Sequence, residues 1–174
     1  MQKQNRVAEL AITGVLTALA IMIPLVFTPL RVVIPPYFTA TLISHVPSML
    51  AMYMSPFAAL GVGLGSALGF TVFTNPVVGA RALSHAFFAY VGNVAWRRGM
   101  SMWLVMLMAL PIHAVFEGIV TWLATLNIQS VVITLVGTSA HHCVDGIITL
   151  LLVAVLQRAG AGRWFERERT LLNQ

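Results

Sequence analysis

The chain has 174 residues, of which 59% are hydrophobic and only 9% charged, and it carries a net charge of +5. Long uncharged runs in such a composition describe an integral membrane protein and exclude a soluble domain with a large core. The positive charge does not point to nucleic acid, because Lys3, Arg6, Arg97, Arg98, Arg158, Arg163, Arg167 and Arg169 fall at the ends of apolar runs or in tails, as cytoplasmic flanks do.

A helix of about 20 residues crosses the hydrocarbon, so the chain has room for about six spans with short connections. Alternating strands of ~10 residues, the mark of a membrane barrel, are not present. The first span covers residues 6–27 and ends at Pro24 and Pro29. Its apolar run is too long for a signal peptide and has no clear cleavage site, so a retained span is expected. A loop with Pro29, Arg31, Pro35 and Pro36 leads to a second span at residues 38–54, where Pro47 predicts a kink. Ser55-Pro56 turns the chain into a third span reaching Thr74, and Asn75-Pro76 is the next turn. The fourth span, residues 77–96, stops at Arg97-Arg98-Gly99. The fifth, residues 102–126, is interrupted by Pro111, and a polar turn from Asn127 to Ser130 precedes the sixth at residues 131–156.

With the N-terminus in the cytoplasm, eight of the nine basic residues outside the spans fall inside and only Arg31 falls outside. The expected architecture is therefore all-α: six transmembrane helices over residues 1–158, both termini cytoplasmic, and a short amphipathic tail over 159–174 lying on the bilayer surface. The single Cys143 cannot form an internal disulfide and reads as a small apolar filler.

The two halves differ in chemistry. Ala11, Gly14 and Ala18 in the first span, with Gly61, Gly63, Gly65 and Gly69 in the third, recur near helical spacing, which lets helix backbones approach closely in lipid. That surface serves either the chain's own helices or a partner protein. The second half instead carries Arg81 with His85, His113 with Glu117, and His141 with Asp145, each pair four residues apart and so on one helix face. A charged group at the bilayer centre costs roughly 2.5–3.5 kcal/mol, so these residues should face partners or a polar cavity. In the expected topology all of them, with His142, occupy one layer between the external surface and the midplane, where Glu117 or Asp145 can neutralise Arg81.

Three accounts of this layer remain open. It is a buried polar network that fixes helix packing; or the wall of a cavity for a polar solute, lidded by the Pro-rich outer loop; or a metal centre, since His113 with Glu117 and His141-His142 with Asp145 have ligand spacing. The motifs of membrane metallohydrolases and of serine hydrolases are absent, so a metal-dependent enzyme is disfavoured and neither metal nor cofactor is expected. His45, alone on its apolar stretch, reads as a structural histidine bonded to a carbonyl freed by Pro47. No Walker-type loop is present to couple ATP, and no inverted repeat marks a stand-alone carrier, proton-coupled or otherwise.

The chain resembles the substrate-binding S-components of energy-coupling factor transporters, the vitamin-uptake branch of the ABC transporters. The resemblance runs from Arg6 to about Leu156. It rests on the basic N-terminus leading into a small-residue helix, the stretch from Ile34-Pro35-Pro36-Tyr37 to His45-Val46-Pro47, the segment Arg81-Ala82-Leu83-Ser84-His85, and the segment His141-His142-Cys143-Val144-Asp145-Gly146. It implies a vitamin bound from outside between the external loops and helices four to six, which brings Tyr37 and His45 into the ligand set beside Arg81, His85, His113, Glu117, His141, His142 and Asp145. It also implies partners: a membrane-embedded coupling subunit and two cytoplasmic ATPases, with no ATPase in this chain. The family's Ala-x-x-x-Ala contact to the coupling subunit is replaced here by Gly14-x-x-x-Ala18. Similarity to the family branch favours cobalamin, with soft residues such as Met49, Met52 and Met54 lining a wide cavity. The alternative is a small anion, niacin or pantothenate, with Arg81 as counter-ion.

Overall fold

The structure, a computed structural model, describes residues 2–34 and 38–165. Helix α1 (Gln2–Val26) leads through a 3-10 turn (Thr28–Leu30) into an antiparallel hairpin of β1 (Arg31–Ile34) and β2 (Phe38–Thr41), with Arg31 opposite Thr41 and Ile34 opposite Phe38. There follow α2 (Val46–Ala51), α3 (Pro56–Phe73), α4 (Pro76–Ala82), α5 (Ser84–Arg97), α6 (Met102–Thr125) and α7 (Ile128–Leu156).

The turns read from sequence act as helix caps. Ser55, Asn75 and Asn127 each accept, through the side chain, the N–H three residues on, from Ala58, Val78 and Ser130 at 3.0 to 3.1 Å. Each cap satisfies one of the four free N–H groups at a helix start. Asn127 as a cap explains why α7 begins earlier than the expected residue 131, and Pro111 is accommodated without ending α6.

Among the described residues, four helices are long and apolar enough to cross a membrane: Arg6–Val26, Pro56–Phe73, Met102–Thr125 and Ile128–Ala161. The second expected span is not a helix along its length. Its first part, with Thr39 and Thr41, pairs as a strand with Arg31–Ile34, and only the six-residue α2 is helical beyond it. β-branched threonines suit a pleated pair, and Pro47 fits the first turn of a helix better than its interior. The fourth expected span is divided at Leu83 into α4 and α5.

Exposure is inverted relative to a soluble protein. On α7, Thr134, Thr138, His142, Asp145 and Thr149 are buried while Val136, Val144, Ile147, Leu151 and Val155 are exposed. A helix with its apolar stripe outward and its polar stripe inward suits a hydrocarbon surround. The chain is a multi-pass membrane protein.

The core is built around α2, which is buried against α1, α3, α5 and α7 and brings Met49 and Met52 against Phe88. Close backbone approach sets α3 in place: a Cβ at Gly69 would meet the backbone of Ile21, and one at Gly63 the backbone of His85 and Ala86. Beyond α7 a wide turn at Gln157–Ala161 contains Gly160 at φ 90°, and Phe165 packs on Tyr53 with ring centroids 5.3 Å apart. Most of the expected surface tail lies outside the described residues.

Candidate functional site

All five histidines of the chain meet in one place. The ring of His45 is at the centre, with centroids 4.4 Å from His113 and His141, 4.7 Å from His85 and 5.8 Å from His142. Phe88 packs below, 4.9 Å from His113. None of the five is a surface residue; His45, His85, His113 and His142 are at most 2% exposed.

The backbone that carries His45 is pinned by Asp145. Its Oδ1 accepts the N–H of Ile43 at 2.9 Å and its Oδ2 the N–H of His45 at 3.0 Å. Ile43 has φ 66°, a left-handed conformation unfavourable for a β-branched residue, so the carboxylate holds a strained turn in place. That turn delivers His45 inward as the chain enters α2. The absence of a side chain at Gly63 lets α3 meet α5 closely at His85.

The charges are paired. Arg81 Nη2 donates to Glu117 Oε2 at 2.6 Å, the same oxygen accepts from Thr138, and the guanidinium lies 5.5 Å from the Phe38 ring. Among the described residues, the buried Nε of Arg81 has no hydrogen-bond partner. Of the two carboxylates that could have neutralised Arg81, the structure uses Glu117. His113 Nε2 lies 3.4 Å from Glu117 Oε1 and His141 Nε2 3.5 Å from Asp145 Oδ2, so both helical pairs face each other along one side of their helices. His85 Nδ1 bonds Ser66 Oγ at 2.8 Å, and His141 Nε2 bonds Ser44 Oγ at 3.1 Å.

A cavity of about 20 Å3, measured as the room open to the centre of a water molecule, opens between the hairpin and this cluster. Its wall includes Phe38 to Thr41, His45, Phe70, Arg81, His85, His113, Glu117, Thr138 and His141. That volume is about what one water needs. A solute larger than this requires the hairpin or side chains to move, and one as bulky as cobalamin has no room.

The residues expected from sequence thus converge, with three exceptions: Asp145 is in the cluster but does not line the cavity, and the others are Tyr37 and His142. Tyr37 lies outside the described residues. His142 is in the cluster but not on the cavity wall; its Nδ1 is 3.0 Å from His113 Nδ1 and its Nε2 3.2 Å from the Met106 carbonyl oxygen. His45 is not the isolated structural histidine expected: no carbonyl bonds its side chain, and its Nδ1 lies 3.0 Å from Asp145 Oδ2. Sequence reasoning missed Phe38, Ser44, Ser66, Phe70 and Thr138. Thr138 was legible, since Thr134, Thr138, His142 and Asp145 continue the same face of one helix.

Among the small residues, Ala11, Gly14 and Ala18 form an exposed face of α1, and a Cβ on Gly14 would meet nothing within 4 Å. Gly65 is buried against Thr17, and Gly61 is half-buried with Thr13 nearby. The α3 glycines therefore serve internal packing, and the surface left for a partner is on α1. Cys143 is exposed rather than a core filler. Among the described residues, three groups of side chains have ligand atoms close enough to hold a metal ion: His45, His113 and His142; His45, His141 and Asp145; and His85, His113 and Glu117.

No family model matches the chain, and no solved structure matches it. Among curated proteins it is similar to the niacin transporter NiaX of Lactococcus lactis subsp. cremoris (strain MG1363), 29% identical over 190 residues that cover 99% of this chain and 85% of that protein. Nothing in this similarity supports cobalamin. A likeness running through nearly the whole of this chain and most of that protein, on a multi-pass helical frame with a polar cavity where the resemblance placed one, supports the resemblance to the membrane S-components of the energy-coupling factor vitamin transporters.

Proposed function

We propose that this chain is an S-component that captures niacin, as nicotinate, from the external side and passes it inward together with a membrane coupling subunit and two cytoplasmic ATPases, contributing no ATPase itself. The observation that carries the reading is Arg81, a buried guanidinium on the cavity wall whose Nε has no partner among the described residues. Arg presents five N–H donors in a planar fork that matches a carboxylate. Glu117 engages Nη2, and its own charge is shared with Thr138 and faced by His113, so the guanidinium keeps donors for a second anion. Phe38 and Phe70 on the same wall suit a flat pyridine ring. The niacin specificity of the similar transporter agrees with this.

The proposed topology keeps six crossings and cytoplasmic termini. It is supported by the distribution of Lys and Arg, with α4 and α5 together forming one crossing and the hairpin with α2 forming the second, folded back on itself. Non-helical backbone at membrane depth is tolerated where protein buries it, and α2 is buried by its neighbours. The exposed Ala11, Gly14 and Ala18 face is the proposed contact for the coupling subunit.

Calorimetric titration of the purified full chain tests the substrate. Nicotinate binds, nicotinamide binds more weakly because it lacks the carboxylate, and the folded fraction of Arg81→Ala, a variant destabilised by the loss of Glu117's partner, does not bind nicotinate. Binding of cobalamin or pantothenate with silence toward nicotinate refutes the reading.

A further inference from the structure

Every histidine of the chain is in the cluster, yet the cavity and its guanidinium account for only part of it. Three of the rings share a second feature. Each has one nitrogen near an outer oxygen: His45 Nδ1 lies 3.0 Å from Asp145 Oδ2 and His113 Nε2 3.4 Å from Glu117 Oε1, neither contact being a hydrogen bond, while His142 Nε2 bonds the Met106 carbonyl oxygen at 3.2 Å. A carboxylate or backbone carbonyl behind the outer nitrogen is how proteins orient metal-bound imidazoles, fixing the tautomer so that the inner nitrogen offers its lone pair. The inner Nδ1 atoms of His113 and His142 are 3.0 Å apart. Two imidazoles on one tetrahedral zinc, at ~2.0–2.1 Å each, stand about 3.3–3.4 Å apart. With His45 included, one ligand atom from each ring can be chosen so that all three lie within 4.8 Å of one another.

The other two groupings are less available. Glu117 is engaged by Arg81 and Thr138, and both oxygens of Asp145 accept backbone N–H groups.

We propose that His45, His113 and His142 form a three-histidine site for a divalent transition metal ion of the zinc, cobalt or nickel class, with Asp145, Glu117 and the Met106 carbonyl as its outer partners. An all-imidazole set selects such ions over magnesium or calcium. Because His45 and His113 also line the cavity, an ion held there borders the solute, and its remaining coordination position takes the carboxylate or ring nitrogen of that solute. This last part rests on the niacin reading; the metal site does not. The expectation of no metal at all was drawn from missing hydrolase motifs, which bear on catalysis and not on a binding metal; the proposed site departs from it.

The test uses the full chain in detergent, stripped with a chelator and titrated with Co2+ and with Zn2+. One ion binds per chain, with the intense visible absorption of tetrahedral cobalt. His45→Gln, His113→Gln and His142→Gln each weaken Zn2+ binding by more than about 100-fold, while Cys143→Ser, at the exposed thiol, leaves it unchanged. The cobalt spectrum of the unaltered chain decides the matter even where a histidine variant does not fold. No binding of either ion, an octahedral cobalt spectrum, or unchanged affinity in the folded histidine variants overturns the site.

Nicotinate is then titrated into stripped and zinc-loaded protein. Tighter binding to the loaded form, with a shift of the cobalt bands on addition, supports the bridging role. Equal binding to both forms overturns that role and leaves the niacin reading intact. Binding to neither refutes niacin and leaves the metal site standing.

Discussion

Replacing Asp145 by Ala is the sharpest probe of how the site is built. The carboxylate is fully buried and is the acceptor for two backbone donors, Ile43 N–H at 2.9 Å and His45 N–H at 3.0 Å. A buried donor left without an acceptor costs about 1–3 kcal/mol. Two of them, together with release of the left-handed Ile43, would exceed that range, but removing a buried carboxylate also removes its own desolvation cost. A net loss of about 3 kcal/mol follows. At ~2–4 °C per kcal/mol for a chain of this size, the apparent unfolding midpoint falls by about 6–12 °C. Asp145→Asn keeps one acceptor and shows an intermediate drop. Thermal unfolding followed by tryptophan fluorescence in detergent measures both. Because the turn positions His45, Asp145→Ala also loses solute binding at temperatures where it remains folded. A midpoint within about 2 °C of the unaltered chain refutes the claim that this carboxylate holds the turn.

Glu117→Gln strips Arg81 of its counter-ion and destabilises the free protein by about 3–5 kcal/mol. Saturating nicotinate restores much of the midpoint, since an anion that binds only the folded state stabilises it by mass action; a midpoint that nicotinate leaves unmoved contradicts the role given to Arg81. Gly63→Ala places a methyl group into the backbone of His85 and Ala86 and yields little folded protein, whereas Gly14→Ala, with open space around it, is neutral in the same expression and size-exclusion assay. Gly14→Trp folds and binds nicotinate but does not co-purify with the coupling subunit; recovery of an intact complex removes α1 from the proposed interface.

The site was legible in sequence to the extent that helical spacing controls it. Arg81, His113 with Glu117, and His141 with Asp145 are polar residues on helices whose other faces must meet lipid, so their convergence follows from the cost of exposing them there. What spacing cannot report is where a non-helical segment goes. Residues 38–54 are apolar enough for a span, and hydropathy has no means to separate one helix from a strand, a strained turn and a short helix. His45 was misjudged for that reason: its central position depends on the turn at Ile43, which depends on Asp145, 102 residues away. The glycines of α3 were ambiguous because a small residue permits close approach without specifying the neighbour.

The distribution of partners also argues for what kind of solute the cavity suits. Both carboxylates of the cluster are already engaged, Asp145 by two backbone N–H groups and Glu117, on the cavity wall, by Arg81 and Thr138. A cationic vitamin would have to displace one of these, leaving either the His45 turn or the Arg81 guanidinium unpaired in a site shielded from water, where such a loss is expensive. The unengaged capacity lies on the donor side, in Arg81 Nε, and in imidazoles whose second nitrogen is not yet committed. A small planar acid uses that capacity without displacing the partners of either carboxylate. Selectivity for nicotinate over an amine-bearing pyridine of similar size is therefore expected to come from the penalty against the cation as much as from the attraction of the anion.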